Sequence, residues 1–285
     1  MTLPPRGSSP RTNEVEARLT DAQFERARRL ALALCGIELL DRHRELLRRR
    51  RDRLGRPEAF EALLAAAEVG EPGARRRFIE LLTTNVTGFF RHPWHFDLAA
   101  EHALWAAHRR RGARAWSAAA ATGEEPYSLA MAVIDVFRRD DPPVTIVATD
   151  VDESALAAAR NAWYGEAALA AVEPGFRARF FEPPAEGGRR RLVPAVRRLV
   201  EFRRLNLADV TWSLDGVFDV VFCRNVLMYL ETAYRYAVLE RIASLLEPGG
   251  LLLLDPSEHL GGAAPLFVAR GPGAYAVRAW ARLAG

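Results

Sequence analysis

The chain contains no lysine, and all 40 of its basic residues are arginine. It has only two cysteines, Cys35 and Cys223, far apart in sequence. That scarcity argues against a disulfide scaffold and leaves both as candidate small buried hydrophobes. Long apolar runs are missing too. The longest, such as "GLLLLDP", fall well short of the roughly 20 residues needed to span a bilayer. The N-terminus shows no signal-peptide core. These absences predict a cytoplasmic protein with no membrane insertion. A further absence is more informative: the turn after the first apolar strand lacks the G-x-G-x-x-G pattern that lets a pyrophosphate approach a helix N-terminus.

What is present fits an ordinary folded chain. Its 285 residues are 49% apolar, enough for a sizeable core, and 27% charged. The net charge is +4, with arginine crowded into the first 115 residues and into 177–204. Positive charge concentrated on part of a chain suits an acidic partner.

Residues 1–18 are rich in Pro, Ser and charge and are expected to form a disordered leader. From Leu19 the pattern turns helical. "LTDAQFERARRLALALCGIEL" offers Thr20 or Asp21 as N-cap and Gly36 as a stop. "DRHRELLRRRRDRLGR", "PEAFEALLAAAEVG" and "GARRRFIELLT" predict three more helices, the first with Leu46, Leu47 and Leu54 on one side and arginine elsewhere. Residues 19–90 are therefore expected as an N-terminal helical domain, with 91–112 as a linker. Over 113–285 strands and helices alternate. "RAWSAAAA", "VTIVATD", "VEFRRLNL", "FDVVFCRN" and "LLLLD" read as strands. "PYSLAMAVIDVF", "DESALAAARNAW" and "ETAYRYAVLERIASLLEPGG" read as helices. Such alternation predicts an α/β domain with a mainly parallel sheet covered on both faces. "LFVARGPGAYAVRAW" predicts a C-terminal antiparallel hairpin turned at Gly271-Pro272-Gly273. The alternation breaks over about 161–200, which is expected to form a small inserted subdomain.

In doubly wound folds ligands bind beyond the carboxyl ends of the strands. Three strand ends here carry polar residues: Glu124 and Glu125, Asp150, and Asn206. Asp150 lies 25 positions beyond Glu125, close to the spacing at which a carboxylate accepts from a ribose diol. A pyrophosphate would be repelled by "SAAAATGEEPYSLA", whereas a phosphate-free cationic nucleoside would be attracted. S-adenosylmethionine has that chemistry. On this stretch alone the two glutamates are equally explained as partners of a helix dipole; Asp150 tips the reading toward the cofactor.

Four stretches, "LTTNVTGFFRHPWHF", "WSAAAATGEEPYSLA", "VATDVDESALAAAR" and "FDVVFCRNVLMYLE", together resemble the chemotaxis receptor glutamate methyltransferase family of the CheR type. The resemblance runs from about Leu19 to Trp280. It implies a class I S-adenosylmethionine-dependent methyltransferase, a Rossmann-like domain preceded by a helical one. Such an enzyme methylates glutamate side chains on the cytoplasmic helical bundle of receptors and releases S-adenosyl-L-homocysteine. By motif position it implies cofactor contacts at Asn85, Thr87 and Arg91, with Arg91 also near the transferred methyl. Glu125 and Asp150 match the ammonium-side and ribose carboxylates. Asn206, Leu207, Arg224 and Asn225 match residues around the adenine and the methionine moiety, and Tyr229 an active-site tyrosine. Arg91 and Tyr229 are the candidate catalytic residues.

In "TTNVTGFFR", Gly88 is expected to permit a turn and Phe89-Phe90 to pack as a plug against water. The arginine helix is a candidate for lying along an acidic receptor face; a solvated face is the alternative. His92 and His95 lack partners at metal-ligand spacing, so no metal is expected. His259 in "DPSEHLGG" departs from the family's glycine-hydroxyl-glutamate pattern, with Glu258 still a candidate for the pocket rim. No aromatic residues interleave the arginines, which disfavours nucleic acid as a partner, and a monomer is expected. A cofactor-binding member without activity and a nucleic-acid methyltransferase are the retained alternatives.

Overall fold

Thr20 opens the first described helix with a reciprocal cap. Its Oγ1 accepts from the Gln23 N–H at 3.1 Å, and Gln23 Oε1 accepts from the Thr20 N–H at 3.2 Å. The computed structural model describes residues 19–278, so the expected leader, 1–18, lies outside the described residues. The chain divides into two compact units, Met1–Thr83 and Thr84–Gly285.

In the first unit, α1 (Asp21–Cys35) ends at Gly36 in the left-handed region, φ 66°. Helices α2 (Arg44–Asp52), α3 (Pro57–Glu68) and α4 (Pro72–Leu82) follow. Phe24, Ala27, Ala31, Phe60, Leu64, Phe78 and Leu47 are buried. The expected leucine stripe of α2 is corrected: Leu46 is exposed, while Arg50 and Arg51 are buried. Arg50 Nη1 donates to the carbonyls of Leu81 and Leu82, which α4 leaves without intrahelical partners. Arg51 pairs with Asp52 at 2.7 Å. Arg48 and Arg49 share Glu45 at 2.7 and 3.0 Å.

The second unit opens with a segment leading into α5 (Pro93–Arg110). Residues 91–112 are thus no linker. His95, Phe96, Ala99, Ala100, Ala103, Ala106 and Ala107 are buried at helical spacing. Residues 84–90 also belong here, because Phe89 packs edge-on to Tyr164 at 4.8 Å and Phe90 lies parallel to Phe176 at 5.5 Å. The pair anchors the segment to the core. The left-handed positions are Phe90 (φ 52°) and His92 (φ 59°), so the bend falls there and not at Gly88.

The remaining elements are β1 (Ala113–Ser117), α6 (Glu124–Phe137), β2 (Val144–Asp150) and α7 (Glu153–Asn161). The interrupted region contains β3 (Trp163–Tyr164), α8 (Glu166–Leu169), α9 (Pro174–Phe180), β4 (Arg190–Arg191) and α10 (Pro194–Arg197). Then come β5 (Val200–Arg204), β6 (Phe218–Phe222), α11 (Thr232–Leu245), β7 (Leu246–Leu253), β8 (Phe267–Gly271) and β9 (Ala274–Val277). β3 and β4 form a separate antiparallel pair.

Seven strands make the main sheet in the order β5-β2-β1-β6-β7-β9-β8. All neighbours are parallel until β9, which pairs antiparallel with both β7 and β8. Period-2 alternation supplies both faces. Ala115, Val220, Phe222, Leu251 and Leu253 face a core shared with α5 and α6. Trp116, Val221 and Leu252 face a second core with Val238, Leu239 and Ile242 of α11. β1 ends at Ser117, four residues earlier than expected, because Ala121 (φ 46°) and Gly123 (φ 97°) turn the alanine run into a loop. The chain winds outward through β2 on one side of β1 and through β6 on the other. The order therefore reverses between β1 and β6, the place where such sheets open a crevice.

Candidate functional site

The crevice is built from five chain segments: residues 85–92, the turn 117–125, the end of β2, the end of β6, and the turn 255–258. Glu125 stands in the first turn of α6. Its Oε1 accepts from Ser117 Oγ at 2.7 Å, and its Oε2 lies 3.4 Å from Arg224 Nη1. Burial raises the Glu125 pKa, with the Arg224 guanidinium and the Ser117 hydroxyl opposing that rise. Arg224 is itself buried and donates to the Arg91 carbonyl at 2.6 Å. Its Nε is buried with no hydrogen-bond partner among the described residues.

Asp150 closes β2. Its Oδ2 accepts from the Ala121 N–H at 2.8 Å and its Oδ1 from the Asp152 N–H at 2.9 Å. Each oxygen keeps acceptor capacity, so the carboxylate can take two further hydroxyl donors side by side. Burial raises its pKa, with these backbone N–H groups opposing. Asp152 caps α7 and also accepts from Asn85 Nδ2 at 2.7 Å, tying the 85–92 segment to this end of the sheet.

Asn225 follows β6 in the left-handed region, φ 57°. Its N–H donates to Glu258 Oε2 at 2.8 Å and its Nδ2 to Asp255 Oδ2 at 2.9 Å. Asp255 Oδ2 also lies 3.5 Å from Arg91 Nη2 and 3.3 Å from His92 Nε2. Burial pushes the Asp255 pKa up, but hydrogen bonds from Ser257, Asn225 and His92 outweigh it and hold the carboxyl well below its usual range.

Arg91, Glu125, Arg224 and Asn225 thus form one connected group, and Asn85 joins Asp150 through Asp152. The other expected residues have these surroundings. Asn206 closes a local turn, with Nδ2 on Asp209 Oδ1 at 2.8 Å and Oδ1 accepting from the Ala208 N–H. Leu207 is buried in the same core as Trp116. Thr87 is half-buried. Tyr229 ends a short 3-10 turn, Leu227–Tyr229, and is 37% exposed. Glu258 does not line a rim. It is buried and accepts from the N–H groups of Asn225, Asp255 and Met228, bracing the turn from beneath.

Three residues escaped sequence reasoning. Asp255 ends an apolar strand just as Asp150 does, which was the available signal. Asp152 was readable as an N-cap before a helix. Tyr164, which donates from Oη to the Thr122 carbonyl at 2.8 Å, carried no local signal.

The donor set suits a cationic nucleoside without phosphate. The turn 117–125 contains no basic residue, and its approach surface presents Glu125 and Asp150. Gly123 lets it pack closely against α7 and β3: an added Cβ would come within 2.9 Å of both Ala159 Cβ and Tyr164 Oη. The unpartnered Arg224 Nε leaves one donor for a carboxylate.

Fold and site together define an S-adenosylmethionine-dependent methyltransferase. The family described as "CheR methyltransferase, SAM binding domain" matches residues 85–270, and the chain belongs to that family. It is 38% identical over 262 residues to chemotaxis protein methyltransferase 2 of Pseudomonas aeruginosa, covering 90% of this chain and 93% of that protein. It is 37% identical to the chemotaxis protein methyltransferase of Salmonella typhimurium, covering 91% of each. The Escherichia coli protein of the same name is 36% identical, covering 91% of this chain and 92% of that one.

Proposed function

We propose that this protein esterifies glutamate side chains on the cytoplasmic helical bundle of chemotaxis-type receptors, acting as a monomer in the cytoplasm, and so takes part in sensory adaptation. The observation that carries the reading is the joined set Glu125–Arg224–Arg91 at the sheet's switch point, where a buried carboxylate meets the Arg224 guanidinium and that guanidinium donates to the Arg91 carbonyl. Among the described residues no helix is long and apolar enough to cross a membrane.

When bound, S-adenosylmethionine supplies an electrophilic methyl on a sulfonium. Glu125 would hold its ammonium and Asp150 its ribose hydroxyls. Arg224 would meet its carboxylate, with Asn85, Thr87, Asn206, Leu207 and Asn225 around the remainder. A glutamate side chain has an ordinary pKa of about 4.3 and is already ionised near neutral pH, so no general base is required. Arg91, 45% exposed and only 3.5 Å from Asp255, can swing to hold an incoming carboxylate. Tyr229 can orient it through its hydroxyl. The residues' task is to place and desolvate that carboxylate in line with the methyl.

The first unit would supply receptor contacts. Arg48 to Arg51 are occupied within it, so the exposed Arg42, Arg53 and Arg56 are the candidates for an acidic helical surface. The test is incubation with tritiated S-adenosylmethionine and purified receptor cytoplasmic domains. Base-labile label on the receptor is the expected result. Label on nucleic acid, or tight cofactor binding with no label on any acceptor, would overturn the reading.

A further inference from the structure

One oxygen of Asp255 faces three donors from two separate segments: Asn225 Nδ2 at 2.9 Å, His92 Nε2 at 3.3 Å and Arg91 Nη2 at 3.5 Å. The other oxygen is held in place by the Ser257 N–H at 3.0 Å and the Ser257 hydroxyl at 2.7 Å. The carboxylate is buried, with only 8% of its side chain exposed, so each contact acts in a medium that screens poorly. The same turn grips Asn225 a second time, because Glu258 Oε2 accepts from the N–H groups of both Asn225 and Asp255. The same bend is met a second time by Arg224, the residue before Asn225, whose guanidinium donates to the Arg91 carbonyl.

We propose that Asp255 is a positioning residue that sets Asn225 and Arg91 against one another through a single carboxylate oxygen. It fixes Asn225 tightly on the cofactor side and holds Arg91 loosely on the acceptor side. One oxygen cannot give ideal geometry to three donors. The longest contact, Arg91, is the one that yields when another carboxylate arrives. Asp255 therefore acts as an internal stand-in for the acceptor carboxylate, keeping the guanidinium in place until it is exchanged. This inference rests on the roles proposed above for Asn225 and Arg91.

The test uses the full chain, S-adenosyl-L-homocysteine by calorimetry without any receptor, and hydrogen exchange of the ligand-free protein over residues 88–95. Asp255→Ala should weaken S-adenosyl-L-homocysteine about tenfold and speed exchange over 88–95. Asp255→Asn, nearly isosteric, removes the charge and replaces one of two accepting oxygens with a donor, so it should do the same with the fold intact, which covers the case where the alanine variant fails to fold. Asn225→Ala in the Asp255→Ala background should cost less than in the native chain, because the two act as one unit. Affinity and exchange unchanged in Asp255→Asn would overturn the proposal, as would losses in the double variant that simply multiply. Neither readout involves a methyl acceptor, so failure to label a receptor would sink the functional reading and leave the positioning of Asn225 and the 88–95 segment by Asp255 standing.

Discussion

Glu125 and Arg224 face each other in the floor of the crevice, Oε2 to Nη1 at 3.4 Å, each largely removed from water. Their contact is longer than a direct hydrogen bond, so Glu125 keeps capacity for another cation. Burial raises the Glu125 pKa above its ordinary value of 4.5, and a carboxylate with a raised pKa loses its charge early as pH falls. Affinity for S-adenosyl-L-homocysteine, which carries an ammonium, should therefore drop as pH descends toward the carboxylate range, beginning above 4.5. Glu125→Gln should bind about tenfold more weakly at pH 7.5 and show a flatter profile. Calorimetry at pH 5 and 7.5 on both proteins checks this.

On the proposed reading Arg91 and Tyr229 meet the acceptor side chain; Arg91 is half-exposed beside Asp255, and Tyr229 is 37% exposed. Arg91→Ala and Tyr229→Phe should each lower turnover on a receptor substrate by about 10²-fold or less, the usual scale for one positioned polar group. S-adenosyl-L-homocysteine affinity should change by only a few-fold. Steady-state kinetics beside calorimetry separates the two quantities. Unchanged turnover in both variants would remove these residues from the chemistry.

Gly123, at φ 97°, lets the turn lie against α7 and Tyr164. Alanine there would force a strained backbone and meet Ala159 Cβ and Tyr164 Oη at 2.9 Å. Gly123→Ala should destabilise the second unit by about 1–3 kcal/mol and abolish measurable cofactor binding before it unfolds the chain. Thermal melts with and without S-adenosyl-L-homocysteine provide the measurement.

His95 is wholly buried, with Nε2 3.0 Å from the Pro272 carbonyl, and burial lowers its pKa from 6.5 to about 4. Protonation is then easier in the unfolded chain. The group contributes stability present above pH 6.5 and lost as pH falls toward 4. Between pH 7 and 5 it should cost about 2 kcal/mol of folding free energy. Denaturant unfolding at the two pH values should show a smaller loss in His95→Gln than in the native protein.

Much of the site is legible before folding, because a polar residue that ends an apolar run is conspicuous. Asp150 after "VTIVAT" and Asn225 after "FDVVFCR" are of that kind, and Asp255 after "LLLL" obeys the same rule. The helix α5 was not legible, since its buried face is largely alanine and its pattern shows little contrast between faces. Nor was the burial of Arg50. Its partners are carbonyls about 30 positions away at the end of α4, which no local pattern marks.

The amino-acid order by itself determined which segments become strands and helices. Periodicity, caps and turn residues are properties of a few neighbouring positions, and so are the polar residues that close each strand. Only the tertiary structure decided which of those strand ends meet. The reversal of strand order between β1 and β6 brings Ser117, Glu125, Arg224 and Asn225 into one crevice. The turn at 255–258 then reaches back to residue 91, 164 positions earlier in the chain, through Asp255. That convergence follows from burying both faces of a single sheet at once, a requirement on the whole chain that no short stretch expresses.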